Sequence, residues 1–190
     1  ITQRIKSYII MSVLVFVEIK DKLSKAAQEA ITYGKSLGKV TVITYGDIDD
    51  SLLLGMGKYG AENILVCRDL KENNEQLISK LIVKAVDNLN SEFIVLSQDQ
   101  IGKAVGPRVA AKLEAGHVSG AISLPEDLDD FTVKTNVYSG KAIAYLTIHS
   151  IKKVISILPN SIKPKENNVD TTITEFNQDL GDGAIKVKEL

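Results

Sequence analysis

The chain has 190 residues, 44% of them hydrophobic, and its 23 Lys and Arg nearly cancel its 24 Asp and Glu. A chain of this length buries about 70% of its unfolded surface in one core, so we expect one domain with a short appendage. The net charge of −1 and the absence of Trp argue against nucleic-acid binding. One Cys excludes an internal disulfide and, with only two His, argues against a structural zinc site. The single Cys also fits a reducing compartment.

The first ten residues, ITQRIKSYII, precede the first Met of the chain at position 11. Basic Arg4 and Lys6 before the apolar run 8–17 imitate a signal peptide, but Glu18 ends the run and no small-residue cleavage site follows. We therefore predict a vector-derived or upstream leader over 1–10 and a strand after it. Because no segment reaches the ~20 apolar residues of a membrane span, membrane insertion is not expected.

Strand-like and helix-like patterns alternate through the first half of the chain. Near-continuous apolar runs, typical of strands buried on both faces, lie at 13–17, 40–43, 64–66 and 93–96. Helical patterns predict helices at 24–37, 50–58 and 75–89, the first with Ser24 as its N-cap and Gly38 just after its end. The alternation predicts an α/β fold with a doubly wound, mostly parallel sheet (Rossmann-like, nucleotide-hydrolase-like) and a parallel core of about four strands.

The segment GKAVGPRVAAKLEAG at 102–116 predicts a further helix directly behind a buried strand. Valine and leucine recur in it every four residues, so they share one face that can pack on the sheet. Pro107 is expected in the first turn, where its missing N–H is not needed. Gly116 is expected at a left-handed C-terminal cap.

After this helix the pattern changes. Strand-like runs lie at 118–124, 131–138, 141–148 and 153–158, with no room for helices between them. These runs are predicted to be hairpins that form an antiparallel extension of the sheet, with a glycine turn in Tyr138-Ser139-Gly140-Lys141. The α/β domain is predicted to span 11–158. The polar segment 159–190, with a strand-like run at 184–188, is predicted to be a linker and the start of a further domain.

Two glycine motifs are interpreted as parts of the scaffold. Residues 55–60 spell GxGxxG, but a predicted helix precedes them and a strand follows, the reverse of the order that dinucleotide binding requires. Gly34-Lys35-Ser36 imitates the end of a P-loop, but it lies inside a predicted helix, and Glu29 occupies the position of the first glycine. Neither motif predicts a cofactor-binding residue.

No triad, carboxylate pair or metal-ligand cluster is visible in the sequence, so we predict no catalytic residue and no metal site. Cys67 closes an apolar strand and is expected to be a buried packing residue, although the neighbouring Arg68 leaves a nucleophile as the alternative. His117 and His149 are expected in strands with their rings hydrogen-bonded.

The loop at 97–102 leaves a functional alternative open. Ligands of open α/β sheets bind outside the carboxyl ends of strands, and helix N-termini attract anions. Ser97, Gln98 and Lys103 could therefore serve an adenine-nucleotide-binding domain. The favoured interpretation is a loop that caps the helix and meets a neighbouring subunit. A melting temperature that shifts with AMP or ATP would discriminate between the two.

Three segments together carry a family resemblance: SVLV at 12–15, PRVAAKLEAG at 107–116 and YSGKA at 138–142. In this order and at this spacing, from about Met11 to the end, the chain resembles the N-terminal domain of the electron transfer flavoprotein alpha subunit. The resemblance implies an electron carrier and not an enzyme. In that family the alpha subunit pairs with a beta subunit, and one FAD carries electrons from dehydrogenases to a membrane-bound acceptor, a quinone reductase.

The resemblance also implies where the cofactor and the partner lie. The flavin sits chiefly in the family's C-terminal domain, whose glycine-rich opening segment is not found in this sequence, so we assign no FAD-binding residue here and expect no FAD bound to this chain. The N-terminal domain is a scaffold packed on the beta subunit. A bacterial cytoplasmic location is favoured over the mitochondrial matrix of a eukaryote.

Candidate interface residues are Arg108, Tyr138 and Tyr145. The tyrosines lie on a half-exposed hairpin and can act as aromatic anchors, whereas the arginine of a first helical turn is an interface partner or a solvated side chain. A stand-alone interaction module, folded as a homodimer, is the remaining alternative.

Overall fold

The computed structural model describes residues 11–183. The predicted leader over 1–10 and the predicted strand at 184–188 therefore lie outside the described residues. One nine-stranded sheet forms the centre of the fold. Its strands are β1 (Ser12–Phe16), β2 (Lys39–Tyr45), β3 (Ala61–Cys67), β4 (Phe93–Ser97), β5 (Gly116–Ala121), β6 (Thr132–Val137), β7 (Ala142–Thr147), β8 (Lys153–Ile157) and β9 (Thr172–Glu175).

The strand order is β7-β6-β5-β8-β4-β1-β2-β3-β9. The antiparallel pairings are β5 with β6 and β6 with β7, and every other neighbouring pair is parallel. The predicted α/β class, a mostly parallel sheet with an antiparallel extension, is confirmed. The parallel part is larger than the predicted core of about four strands, because β5, β8 and β9 join it.

The prediction that every run after residue 116 forms hairpins is wrong for two of them. β8 pairs parallel with both β4 and β5, and only β6 and β7 form a hairpin. The hairpin lies between β5 and β8 in the sequence, so it takes the place of the helix that usually connects parallel strands. Strands that follow one another without intervening helices are therefore not always neighbours in the sheet: β8 follows β7 in the sequence but lies between β5 and β4.

Helices cover both faces of the sheet, as the doubly wound prediction requires. They are α1 (Lys25–Leu37), α2 (Asp50–Leu54) continuing as a 3₁₀ turn (Gly55–Tyr59), α3 (Glu75–Leu89) and α4 (Gln100–Leu113). One core cluster joins α1 to the valines of β1 and β2, and a second joins α3 and α4 to the opposite face. Ser24 caps α1 as predicted, accepting a hydrogen bond from the N–H of Ala27 at 3.1 Å.

Two details of α4 differ from prediction. Pro107 lies in the middle of the helix, because Asp99 caps the helix further upstream by accepting from the N–H of Gly102 at 2.9 Å. Proline has no N–H to donate to the carbonyl of Lys103, four residues earlier in the helix. Pro107 and Lys103 are both exposed, so this carbonyl faces solvent. The left-handed cap residue is Glu114 at φ 51°, and Gly116 instead begins β5.

The segment predicted as a linker packs closely on the domain up to its last strand. Residues 158–171, which we call the strap, cross α1 and the 3₁₀ turn before entering β9. Along the strap the N–H of Asn160 donates to Glu29 at 2.8 Å, and the N–H of Val169 donates to the Gly57 carbonyl at 3.1 Å. β9 then pairs parallel with β3, and Phe176 is buried beyond it.

Candidate functional site

Among the described residues, the exposed large apolar side chains are concentrated on the β6–β7 hairpin. Tyr138 is 81% exposed, Tyr145 64%, Ile143 55% and Leu146 39%. These four residues define the hairpin surface. β6 is buried on alternate positions, whereas β7 is exposed at nearly every position. The sheet therefore ends in an apolar strand that the described part of the chain leaves uncovered.

The hairpin turn holds Tyr138 in a fixed backbone conformation. Tyr138 and Ser139 lie in the left-handed region at φ 52° and 56°, followed by Gly140 at 83°. The N–H of Gly140 donates to the Val137 carbonyl at 3.1 Å, and the N–H of Lys141 donates to the Tyr138 carbonyl at 3.2 Å. The predicted glycine turn is confirmed, and it presents the Tyr138 ring to solvent.

An acidic cavity of about 330 Å³ adjoins the hairpin surface. The carboxylates of Glu126, Asp127 and Asp130 line it together with the Tyr145 ring. Lys134 is its basic side chain, with Nζ 3.9 Å from Glu126 and 5.4 Å from the centre of the Tyr145 ring. Carboxylates outnumber cations in the lining, so the cavity favours a positively charged group.

The structure places two of the three candidate interface residues on the same hairpin. Tyr138 and Tyr145 share the hairpin, whereas Arg108 lies on the exposed side of α4, where its Nη1 donates to the Ala104 carbonyl at 2.7 Å. Within residues 11–183, no hydrogen bond, ion pair or ring contact joins Arg108 to either tyrosine. Sequence reasoning missed Ile143 and Leu146; the signal available was that β7 lacks the polar alternation of β6.

The loop at 97–102 borders a second cavity, of about 550 Å³, at the carboxyl end of the sheet. It lies between β1 and β4, from which the chain winds in opposite directions, the usual place for a ligand in such sheets. The first turns of α1, α3 and α4 all contribute to its lining. Each of these helices is already capped by a side chain, from Ser24, Asn74 and Asp99 respectively.

The charges of this second cavity do not suit a phosphate. Glu18, Asp21, Glu75 and Asp99 line it against two lysines. Burial raises the pKa of the Glu18 carboxyl, and Lys20 lowers it again in part. A phosphate site needs more cations than carboxylates in its lining, and this lining has the opposite balance. The carboxylates therefore argue against the nucleotide alternative.

Three residues were candidates for that alternative, and the structure separates them. Ser97 is buried, and its Oγ has no hydrogen-bond partner among the described residues. Gln98 instead turns to β5, donating to the Ser119 hydroxyl at 2.7 Å. Lys103 is exposed on α4 and does not line the cavity. The loop thus caps α4 and contacts β5.

The two glycine motifs are structural, as predicted. Residues 55–59 form the 3₁₀ turn and Gly60 turns the chain at φ 106° into β3. Gly34 lies in α1, where a Cβ would come within 2.7 Å of Val15 on the sheet. Neither segment is a strand-to-helix turn, so neither has the geometry with which such turns bind a pyrophosphate.

Of the remaining polar candidates, Cys67 and His117 have structural roles. Cys67 is buried in the second core cluster, as predicted. His117 lies in β5 with Nε2 2.9 Å from the Ser156 hydroxyl, also as predicted, but His149 is exposed and lies after β7. Within residues 11–183, no cluster of side chains could hold a metal ion, and no helix is long and apolar enough to cross a membrane.

Burial of His117 predicts a pH dependence of stability. Desolvation lowers the pKa of its imidazole below the ordinary 6.5, so as the pH falls through this value the unfolded chain binds a proton before the folded chain does, and stability is lost. We expect the free energy of unfolding to fall more between about pH 7.5 and 5.5 in the wild type than in His117→Gln. Denaturant titrations at both pH values check this. If the free energy of unfolding changes equally with pH in the two proteins, the prediction is wrong.

Comparison with known proteins identifies similar chains. A family model described as "Electron transfer flavoprotein domain" matches residues 13–180. The electron transfer flavoprotein subunit alpha of Bacillus subtilis is 26% identical over 162 residues, 82% of this chain and 50% of that protein. A probable mitochondrial alpha subunit of Caenorhabditis elegans is 28% identical over 75% of this chain and 43% of its own length. The acryloyl-CoA reductase electron transfer subunit beta of Anaerotignum propionicum is 28% identical over 62% and 34%. The chain thus spans half or less of the length of these relatives.

Proposed function

The chain belongs to the electron transfer flavoprotein domain family, and on that premise we propose that it is the scaffold domain of an alpha subunit that docks a beta subunit. The hairpin surface is the observation that supports this proposal. Four exposed apolar side chains on one hairpin, on both faces of β7, are the kind of uncovered apolar surface that a soluble domain covers with a partner.

The proposed role is that of an electron carrier subunit and not of an enzyme. The relatives are named as electron transfer subunits. We propose that the complete complex passes electrons from dehydrogenases through FAD to a membrane-bound acceptor, a quinone reductase. A bacterial cytoplasmic or mitochondrial matrix location fits relatives from both kinds of source. This chain would supply the platform that orients the flavin-bearing part.

A binding experiment tests the proposal. We expect the chain, co-expressed with its beta subunit, to elute as a complex in size exclusion, and Tyr138→Ala and Tyr145→Ala each to weaken it by about tenfold or more, since aromatic residues dominate interface energies. Arg108→Glu tests whether the surface extends to α4. Leu54→Ala is a matched control, because Leu54 is 49% exposed on α2.

The outcomes separate partner from surface. A wild-type chain that fails to bind at micromolar concentration would show that the proposed partner does not dock on this domain. If it binds and all the variants bind equally well, the partner is right and the hairpin surface is not the contact. A folded homodimer that ignores the beta subunit would favour the stand-alone interaction module.

The location of the flavin gives a separate prediction. We expect the purified chain to be colourless and to retain no FAD through gel filtration, because its glycine turns and the carboxylate-lined second cavity do not suit the cofactor's pyrophosphate. Absorbance of the eluted protein near 450 nm checks this. Flavin retained near one per chain would place the cofactor site within these residues.

A further inference from the structure

The outer edge of β7 is the least protected edge of the sheet. β7 ends the strand order, and its sequence AIAYLT contains no charge and no proline. Its pairing with β6 contains no bulge between the first cross-strand pair, Thr132 with Thr147, and the last, Val137 with Ala142. Natural sheets protect an edge with charges, proline, bulges or short strands. β9 at the opposite edge is shorter and ends in Glu175. β7 has none of these protections.

The hydrogen-bond pattern shows which backbone groups of β7 face outward. The N–H of Ile148 donates to the Phe131 carbonyl at 3.0 Å, and antiparallel pairs alternate between bonded and non-bonded. In that alternation Lys134 and Tyr145 form a non-bonded pair. The Lys134 backbone is indeed engaged on the other side, accepting from the N–H of Ile122 at 2.8 Å. The outward N–H and C=O groups of β7 therefore belong to Ile143, Tyr145 and Thr147.

We propose that the beta subunit adds a β-strand to the edge of β7, hydrogen-bonding to the backbone of Ile143, Tyr145 and Thr147. This inference rests on the proposed function and specifies how the partner docks. An added strand satisfies the outward backbone groups and covers apolar side chains on both faces of β7, which a partner lying on one face alone could not do.

Charge complementarity indicates the chemistry of the added strand. The acidic cavity beside Tyr145 contains the carboxylates of Glu126, Asp127 and Asp130 against the single cation of Lys134. A strand that pairs with Tyr145 passes this cavity. We infer an extended, largely apolar segment with an arginine or lysine next to the residue that pairs with Tyr145. Arginine suits the site best, since its planar group can stack on the ring while it pairs with a carboxylate.

The occupant is a different chain rather than a second copy. Relatives of this chain carry the names subunit alpha and electron transfer subunit beta, names that belong to complexes with more than one kind of chain. A second copy pairing through its own β7 is a testable competitor on the same edge.

Hydrogen exchange of the wild-type chain tests the strand addition directly. We expect the amides of Ile143, Tyr145 and Thr147 to exchange fast in the free chain and to become protected by at least about tenfold when the beta subunit is added. The amides of Ala144 and Leu146, which bond to β6, should already be protected. This alternation distinguishes strand pairing from side-chain docking, which would not protect every second amide.

A pair of variants at one position gives a second readout. Ile143→Pro and Ile143→Ala both remove the apolar side chain, but only proline removes the outward N–H, and an outward edge position tolerates proline. We expect Ile143→Pro to bind the beta subunit at least about tenfold more weakly than Ile143→Ala, since a partner carbonyl loses its donor. Circular dichroism confirms the fold of both, and the exchange experiment decides alone if the proline variant does not fold.

Each other outcome overturns the inference in a recognisable way. If the complex forms without alternate amide protection, or if the folded proline and alanine variants bind with equal affinity, the partner is right and the strand addition is wrong. Absence of any complex with the wild type removes the proposed partner itself. Protection that grows with the concentration of the chain alone would show that a second copy occupies the edge.

Discussion

Gly102→Ala should destabilise the fold by about 3 kcal/mol or more, at the upper limit of overpacking effects. A Cβ at this position would overlap the carbonyl oxygen of Ser97. The obstacle is a backbone atom at the end of β4, which cannot rotate away as a side chain can. The first turn of α4 would have to move off the sheet, and the Asp99 cap on the Gly102 N–H would be lost with it.

Gly55→Ala is the matched control. Gly55 has an ordinary helical φ of −58°, and no atom lies within 4 Å of an added Cβ. Alanine there should leave stability unchanged or raise it by up to about 1 kcal/mol, because it restricts the unfolded chain. Guanidinium titrations of both variants check the contrast. Stabilities of the two that agree within about 0.5 kcal/mol would mean that α4 does not seat as closely on β4 as the structure shows.

The parallel strands of the first half were predictable because burial on both faces leaves a mark in the sequence. β1 and β4 are continuous apolar runs, since helices cover them on both sides. The places of β5 and β8 could not be predicted, because periodicity describes one strand and not its neighbours. β9 has only four residues, TITE, and is held by its pairing with β3, which a local pattern does not encode.

The candidate site was predictable to a similar degree. The turn sequence and the alternation of β6 placed Tyr138 on a hairpin. The exposure of Ile143 and Leu146 was missed, because an apolar strand without alternation usually means cover on both faces. In β7 the same pattern goes with both faces open. The sequence records which side chains avoid water, but not whether this chain or another one covers them.

Glu29 is a buried carboxylate that holds the strap, and its removal should have the second large effect. It is 1% exposed on α1, and its Oε2 accepts from the N–H of Asn160 at 2.8 Å. Lys25 lies 3.7 Å from the other oxygen and also donates to the Asn160 side chain at 2.9 Å. The pair fixes the point where the chain leaves β8 and begins to cross α1.

Glu29→Ala should therefore lower the free energy of unfolding by about 2–3 kcal/mol, because the Asn160 N–H loses a charged acceptor and a cavity remains where the buried carboxylate was. Glu29→Gln keeps an acceptor of the same shape and should cost about 1 kcal/mol. Glu62→Ala is the control, since this carboxylate forms partly exposed ion pairs with Lys35 and Lys39 that contribute less than about 1 kcal/mol. We expect limited proteolysis to cut the strap faster in Glu29→Ala than in the other two. If all three variants melt alike and resist the protease equally, the strap is held by β9 and by the hydrogen bonds from the N–H groups of Val169 and Asn167 to the carbonyls of Gly57 and Lys58, rather than by the carboxylate on α1.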